Sequence, residues 1–299
     1  MSISTDQSNA HHATILDGKV VRDHIAQTLI EKVKTLSFVP ALAIVQVGDI
    51  PESDAFIRQK NLFAAKIGVT SLHKKFPNSI SEQELIKEIE ILNKDTQIQG
   101  IIVQLPLPAH IDKNMIIESI LPEKDADGLH SVNVQKLIAN DPTGIVPATA
   151  RGIRTLCHYY HIDLKGKHIA VIGTSALVGQ PVAHVCTNEG GIVTSCNRDT
   201  KHIPEVTKKS DIIIVAAGSP KLITAQYVEK GQTVIDVGIT SVHAHNEKSE
   251  MIKKLVGDVD FDEVSKIVSA ITPVPGGVGP LTVASLFENV VDAAIKMIK

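Results

Sequence analysis

Short apolar runs alternate with helical stretches along almost the whole chain. Ala41–Val47 and Gly100–Val103 have the length of buried strands, and residues 53–66 and 112–120 have helical patterns. A chain that alternates strands with helices returns between strands through crossovers, so parallel sheets covered by helices are expected. Aromatic residues make up only 3% of the chain, which indicates the aliphatic core typical of such sheets. The predicted fold class is α/β.

A stretch rich in Pro and Gly at 141–147 interrupts this alternation and is a candidate domain junction. Beyond it the pattern begins again, with helices predicted at 175–188 and 281–298. The apolar strands predicted in this half are 168–172, 191–196, 211–216 and 233–237. This strand–helix–strand order predicts a second parallel sheet.

The charge pattern and the cysteines exclude several classes of protein. A net charge of −3 without a long basic run gives no electrostatic basis for binding nucleic acid or an anionic membrane. Residues 1–14 lack the apolar core of a secretory signal, and we find no run of about 18 apolar residues, so we expect a cytoplasmic protein without a membrane span. Cys157, Cys186 and Cys196 form no C-x-x-C motif and the 13 histidines are scattered, so we predict reduced thiols and no metal site.

The predicted strand 168–172 runs directly into a turn that begins at Gly173 and ends at Gly179. A tight turn between a strand and the start of a helix can bind an anion, because backbone N–H groups and the positive end of the helix dipole face the ligand. Ser175 can cap the helix or donate to a phosphate. The spacing differs from G-x-G-x-x-G, so a purely structural glycine turn is an equally good interpretation of the motif alone.

The end of the next predicted strand bears on the choice of nucleotide. In NAD enzymes an acidic residue about 20 positions after the glycine motif binds the ribose 2′-hydroxyl. Here the strand is followed by Arg198, and an arginine suits the 2′-phosphate of NADP. A solvated surface arginine is the alternative, and the adjacent Asp199 keeps NAD open.

The predicted helix 53–66 carries a lysine among apolar residues. Spacing of i, i+4, i+7 and i+11 puts four side chains on one helix face: Phe56, Lys60, Phe63 and Ile67. Burial would lower the pKa of Lys60 and allow it to exchange protons. A lysine whose stem lies on the core while its ammonium reaches water is the alternative.

Two further polar positions lie near predicted strand ends. Gln104 follows Gly100–Val103, and α/β folds bind ligands at the carboxyl ends of their strands, although Gln104 can also be a capping amide. Asp127 lies in the acidic turn 124–128, where a carboxylate can accept two hydrogen bonds from an aminopyrimidine edge. A solvated turn is the alternative, and the turn lacks the other ligands of a calcium loop.

Several longer motifs make the chain, from about Asp17 to its C-terminal helix, resemble the bifunctional methylenetetrahydrofolate dehydrogenase/cyclohydrolase family. The most specific are QLPLP at 104–108, PEKDADG at 122–128 and TPVPGGVGP at 272–280. Supporting matches are VG at 47–48, VIDVG at 234–238 and VGDV at 256–259. They occur in the family's order.

The resemblance implies two αβα domains with parallel sheets and a cleft between them. A folate-binding catalytic domain would span 1–147, completed by the C-terminal helix 281–299, and a Rossmann-like NADP-binding domain would span 148–275. A homodimer joined through the nucleotide domains is also implied. The implied reactions are the NADP-dependent oxidation of 5,10-methylenetetrahydrofolate to the 5,10-methenyl form and its hydrolysis to 10-formyltetrahydrofolate.

Site residues follow from the resemblance position by position. Lys60 matches the catalytic lysine, Gln104 its hydrogen-bond partner and Asp127 the pterin-binding carboxylate. The implied folate-binding residues are Ser53, Phe56, Pro275, Gly276 and Gly277. The implied NADP-binding residues are Thr149, Gly173, Thr174, Ser175, Val178, Gly179, Arg198, Ala217, Gly218 and Ile239.

The chain departs from the family pattern beside the catalytic lysine. The family has a Tyr four residues before it, where this chain has Phe56. The ring can still stack on the substrate, but the hydroxyl that would orient Lys60 is lost. A monofunctional dehydrogenase with weak or lost hydrolysis is therefore the main alternative.

Other departures lie on the nucleotide side. The family segment Pro-Cys-Thr-Pro reads PATA at 147–150, which keeps Thr149. Thr174 and Asn197 replace a basic or small residue and a His, which weakens the NADP assignment without removing Arg198. A binding protein without turnover and an unrelated shikimate-type dehydrogenase are the remaining alternatives.

Overall fold

The computed structural model describes residues 13–245 and 251–298. The first half of the chain forms one small parallel sheet and the helices around it. Its elements in chain order are β1 (Thr14–Ile15), α1 (Gly18–Lys34), β2 (Ala41–Val47), α2 (Pro51–Ile67), β3 (Thr70–Phe76), α3 (Glu82–Lys94), β4 (Gly100–Val103), α4 (Lys113–Glu118) and α5 (Ser131–Ile138).

The first sheet has the strand order β3-β2-β4, and both pairs are parallel. All seven residues of the central strand β2 are buried, as its largely apolar sequence predicts. The helix α2 ends at Gly68, whose φ of 77° is the left-handed conformation that glycine adopts most easily. The helix α3 begins with a capping box between Ser81 and Glu84, a Ser followed three residues later by a Glu.

The second half forms a larger sheet with a Rossmann-like order. Its elements are α6 (Ala148–Tyr159), β5 (His168–Ile172), α7 (Gly179–Asn188), β6 (Ile192–Cys196), α8 (Ile203–Lys208), β7 (Ile212–Val215), β8 (Thr233–Asp236), β9 (Thr240–His245), β10 (Met251–Val256), α9 (Phe261–Val264), β11 (Ala270–Ile271) and α10 (Val278–Met297). The six-stranded order is β1-β11-β8-β7-β5-β6, with every pair parallel. The α/β class and the two parallel sheets are confirmed. The antiparallel hairpin β9–β10 was not predicted.

The two ends of the chain cross between the halves. β1 pairs with β11 through Thr14↔Ala270 and Ile15↔Ile271. These two residues therefore belong to the second sheet, although the predicted folate domain, 1–147, includes them. At the other end α10 returns to the first half and packs against α1, α2 and α6. There Phe287 lies 5.6 Å from Phe63, ring centre to ring centre.

The helix α10 has the length and apolar composition of a membrane-spanning helix, contrary to the sequence expectation. The apolar stretch of α10 is 56% buried within the protein, and Leu281, Phe287 and Val291 are almost inaccessible to solvent. A core helix of a globular domain has the same composition because it is covered on several sides. The apolar composition is therefore accounted for by packing.

Candidate active site

A cavity of about 280 Å³ between the two halves contains the predicted lysine. The Nζ of Lys60, on α2, donates to Oε1 of Gln104 at 2.7 Å. Gln104 follows the end of β4, and its own amide donates to the carbonyl of Leu105 at 2.8 Å, which orients the acceptor oxygen toward the lysine. Other walls of this cavity are Asp127, Thr149, Val178 and Thr282. The fold thus brings together all three predicted catalytic residues.

Burial in this cavity changes the protonation of both charged groups. Loss of water lowers the pKa of the Lys60 ammonium, and the charge of Asp127 opposes this shift. Desolvation raises the pKa of Asp127 to about 6, an effect opposed by Lys60 and reinforced by Asp125. Asp127 is therefore a carboxylate just above pH 6, and Lys60 releases a proton more easily than a solvated lysine.

The turn that carries Asp127 is held by its neighbours in the sequence motif. The Lys124 ammonium donates to three carbonyl oxygens at the end of α3, those of Leu92, Asn93 and Asp95, at 3.2, 2.8 and 2.6 Å. Asp125 accepts hydrogen bonds from the N–H groups of Gly128 and His130 and from Asn133. These two charged residues are structural, which leaves the Asp127 side chain to face the cavity.

A second cavity of about 540 Å³ adjoins α2 and is mainly apolar. Phe56 is 46% exposed at its wall, so its ring is accessible to a flat ligand. The opposite wall is the loop 273–280, in which a Cβ on Gly277 would lie 2.6 Å from the carbonyl oxygen of Pro273. Ile239 and the predicted folate-binding residues Pro275, Gly276 and Gly277 line this cavity.

Ser53 lies elsewhere. Ser53 lies near the start of α2, is only 2% exposed and lines neither cavity. The geometry therefore gives no support for the predicted contact between Ser53 and the substrate.

The glycine turn after β5 presents free backbone donors. The helix α7 begins at Gly179 and not at Ser175 as predicted, because residues 173–178 form an open turn. Within the described part of the chain, the N–H groups of residues 174–177 have no acceptor. A Cβ on Gly173 would lie 2.2 Å from the carbonyl oxygen of Ala216, and one on Gly179 would lie 2.1 Å from that of Gly173. Only glycine allows this close approach, and the exposed N–H row fits a phosphate.

The other predicted nucleotide residues follow the neighbouring strands of the same sheet. The N–H of Gly173 donates to the carbonyl of Cys196 at 2.8 Å, which places the end of β6 beside the turn. Arg198, two residues further, is exposed. Ala217 and Gly218 follow β7, and Ile239 follows β8, all at the carboxyl edge of the sheet. The free N–H groups of residues 174–177 and the exposed guanidinium of Arg198 fit a phosphorylated dinucleotide.

Some residues near these sites were not predicted. Thr282, on α10, lines the Lys60 cavity, and its hydroxyl lies 3.3 Å from that of Thr149. Asp236 and Asp258 lie behind the loops after β7 and β8. No group of three His, Cys, Asp or Glu side chains suited to a metal ion occurs among the described residues. Thr282 acquires its neighbours only through the fold, whereas Asp236 and Asp258 lie in the matched motifs VIDVG and VGDV without an assigned role.

Comparison with known proteins identifies the family. Residues 16–127 match the tetrahydrofolate dehydrogenase/cyclohydrolase catalytic domain, and residues 147–298 match the NAD(P)-binding domain of the same family. The chain is 42% identical over 284 residues to the "Bifunctional protein FolD" of Nautilia profundicola, covering 94% of this chain and 97% of that protein.

Solved structures agree with the sequence comparison. The bifunctional FolD enzyme of Campylobacter jejuni superposes with a TM-score of 0.89 at 41% identity, covering 95% of this chain and 99% of that chain. The FolD of Trypanosoma brucei, described in complex with NADP and an inhibitor, gives a TM-score of 0.90 at 34% identity, covering 96% and 99%. The predicted family is confirmed: the chain belongs to the tetrahydrofolate dehydrogenase/cyclohydrolase family.

Proposed function

We propose that this protein oxidises 5,10-methylenetetrahydrofolate with NADP and then hydrolyses the methenyl product to 10-formyltetrahydrofolate. The observation that carries this proposal is the Lys60–Gln104 pair in a cavity that also contains Asp127 and residues of the nucleotide half. The relatives above are bifunctional by name, and no observation favours the monofunctional alternative raised by Phe56.

The nucleotide half holds NADP. The free N–H groups of residues 174–177 bind the phosphates, with Ser175 as an additional donor, and Arg198 pairs with the 2′-phosphate. Ala217, Gly218, Ile239, Thr149 and Val178 line the path toward the folate. Bound NADP supplies the hydride acceptor for the oxidation, and the protein positions it.

The first half holds the folate across both cavities. The Asp127 carboxylate accepts two hydrogen bonds from the aminopyrimidine edge of the pterin. Phe56 stacks on the aminobenzoate ring, and the loop 275–277 forms the facing wall. This arrangement places the one-carbon bridge near Lys60.

Lys60 acts in the hydrolysis. Water attacks the methenyl carbon and gives one proton to the deprotonated form of Lys60, which burial favours by lowering the pKa of the lysine. The remaining hydroxyl proton moves to N5 as the bond between the carbon and N5 breaks, which leaves the formyl group on N10. Gln104 holds the lysine in place through its 2.7 Å hydrogen bond. The hydroxyl missing from Phe56 is thus not required for Lys60 to be oriented.

The domain division and assembly belong to the same proposal. The folate domain consists of 1–147 with 281–299, and the nucleotide domain of 148–275, to which β1 adds a strand. β6 is an edge strand with a single partner, β5, and can join a second copy into a homodimer. We place the enzyme in the cytoplasm, and sedimentation of the purified protein tests the dimer.

The direct test mixes the purified protein with 5,10-methylenetetrahydrofolate and either NADP or NAD. Reduction of NADP together with 10-formyltetrahydrofolate formed faster than spontaneous hydrolysis is expected. Accumulation of the methenyl form would instead support the monofunctional alternative. Absence of reduction with both nucleotides would refute the proposal.

A further inference from the structure

Two buried carboxylates lie behind the loops at the carboxyl edge of the large sheet. Oδ2 of Asp258 accepts the N–H groups of both Ala217 and Gly218, at 2.7 and 2.8 Å. Oδ1 of Asp236 accepts the N–H groups of Gly238 and Asp258, at 2.9 and 3.1 Å. The pair therefore ties together the loops after β7, β8 and β10.

The fit around these carboxylates is tight. A Cβ on Gly238 would lie 2.4 Å from Oδ1 of Asp258, and one on Gly257 would collide with Oδ2 of Asp236. Oδ1 of Asp258 is the one buried side-chain N or O atom of the described residues without a hydrogen-bond partner. Burial also raises the pKa of Asp236 to about 6. Neighbouring buried acids of this kind cost stability, so stability alone does not account for them.

The sheet order shows which part of the cofactor meets these loops. Arg198 follows the edge strand β6, and the phosphate-binding turn follows the adjacent strand β5. A dinucleotide whose adenosine lies near β6 and whose phosphates lie near β5 continues toward β7 and β8. Ala217 and Gly218 follow β7, so the turn they form meets the nicotinamide half.

We propose that Asp258 is a positioning residue for the oxidation step, because it holds the Ala217–Gly218 turn that seats the nicotinamide end of NADP. Because one carboxylate engages both N–H groups, the conformations open to the turn are restricted. Asp258 lines neither cavity and lies apart from Lys60, so the hydrolysis does not depend on it. This inference rests on the proposed function for the identity of the cofactor.

The network also reaches the folate wall. The N–H of Asp236 donates to Oγ1 of Thr272 at 2.7 Å, and Thr272 directly precedes the loop 273–280. The N–H of Gly277 in turn donates to the carbonyl of Pro273 at 2.8 Å. The folate wall is therefore linked through Thr272 to the backbone of Asp236, and not to the Asp258 carboxylate that holds the Ala217–Gly218 turn.

The first test measures binding and needs no turnover. We compare the dissociation constants of NADPH and of 2′,5′-ADP, which lacks the nicotinamide half, for the wild type and Asp258→Ala. Asp258→Ala is expected to weaken NADPH by about tenfold or more and to leave 2′,5′-ADP unchanged within about twofold, because two charge-assisted hydrogen bonds to the turn are lost. Equal weakening of both ligands, or of neither, overturns the proposal.

The second test separates the two reactions. Hydrolysis is measured from methenyltetrahydrofolate without nucleotide, and oxidation with NADP. Asp258→Ala is expected to lower the oxidation rate on the order of 10- to 100-fold while the hydrolysis rate stays within about twofold, since small misplacements of a reacting group have effects of this size. Parallel loss of both reactions contradicts a positioning role.

Two further variants guard against misfolding. Asp258→Asn keeps one acceptor oxygen for the Ala217–Gly218 turn and is expected to recover most of the oxidation rate. Asp262→Asn changes an exposed acid on the same segment and is expected to behave like the wild type. If Asp258→Asn folds but its oxidation rate is no higher than that of Asp258→Ala, the proposal fails. A wild type that binds NADPH but oxidises no folate would refute the proposed function and leave the binding test intact.

Discussion

The two cavities along α2 are built in opposite ways. The small cavity around Lys60 is defined by side-chain groups: an ammonium, an amide and a carboxylate, each fixed by hydrogen bonds or by a held turn. The large cavity beside Phe56 is shaped mainly by backbone, with Pro and Gly residues of the loop 273–280 forming one wall. Proton transfer needs specific functional groups, whereas a flat aromatic ligand needs shape and apolar surface.

The difference predicts how each cavity responds to mutation. In the small cavity, the loss of one functional group lowers the reaction rate and leaves the fold unchanged. In the large cavity an added methyl group disturbs the fold of the wall and, through it, substrate binding. The experiments below test this contrast, beginning with the largest expected effect.

Replacing Lys60 with Met gives the largest effect. Hydrolysis of methenyltetrahydrofolate is expected to fall by about 10²- to 10⁴-fold, the usual contribution of a positioned acid–base group. NADPH binding and the thermal midpoint should remain close to those of the wild type. Lys87→Met, at an exposed lysine on α3, is the matched control and should leave the rate unchanged. A comparable fall in the control, or none in Lys60→Met, would remove the lysine from the mechanism.

The pH profile follows from the Asp127 carboxylate. With a pKa of about 6, Asp127 is charged above that pH and neutral below it. A neutral acid cannot accept two hydrogen bonds from the pterin, so kcat/KM for the folate should fall about tenfold per pH unit below pH 6. Asp127→Asn should abolish this acidic limb and lower the pKa of Lys60 further, because the opposing charge is gone. A limb that persists in Asp127→Asn belongs to another group.

Gly277→Ala tests the backbone wall of the large cavity. The new Cβ would lie 2.6 Å from the Pro273 carbonyl oxygen and 2.7 Å from Cβ of Thr272, so the loop must shift. A loss of about 1–3 kcal/mol in the free energy of unfolding is expected, together with a higher KM for the folate. For stability, Gly279→Ala is the control, because its Cβ meets open space. Denaturant unfolding of both variants decides whether the wall is as rigid as its contacts indicate.

Phe56→Tyr is expected to have the smallest effect. The added hydroxyl can supply one hydrogen bond near Lys60, which is worth about 0.5–1.5 kcal/mol, or roughly two- to tenfold in the hydrolysis rate. Oxidation should change little, because the ring that stacks on the substrate is retained. Equal changes in both reactions would show that position 56 contributes only to substrate binding.

Most of the fold follows from local pattern, and the departures have identifiable causes. The strand β2 was located correctly because its largely apolar sequence is a short-range signal. The helix after β5 begins later than predicted because open N–H groups replace its first turn. The placement of β1 escaped prediction, since a two-residue strand has no periodicity and its partner β11 lies near the other end of the chain.

The site residues show the same difference between local sequence signals and tertiary contacts. Lys60, Gln104 and Asp127 were predicted from local patterns and the family resemblance, and they line one cavity in which Lys60 and Gln104 are hydrogen-bonded. Thr282 was not predicted, because it acquires its neighbours from distant segments, and Asp258 lies in the matched motif VGDV but was given no role. Ser53 was included only through the family resemblance, and its buried side chain lines neither cavity. A motif identifies which residues matter chemically, but tertiary contacts decide which of them meet the ligand.

The crossing of the chain ends has a consequence for synthesis on the ribosome. The helix α10, which covers α1 and α6 and carries Thr282 into the active site, is translated after every other described element. β1 likewise waits for β11 before its hydrogen bonds can form. Until α10 emerges, the part of α1 that it covers is exposed and available to chaperones. The catalytic cavity therefore closes only after α10 has left the ribosome, and shortened chains lacking α10 are exposed to aggregation and proteolysis.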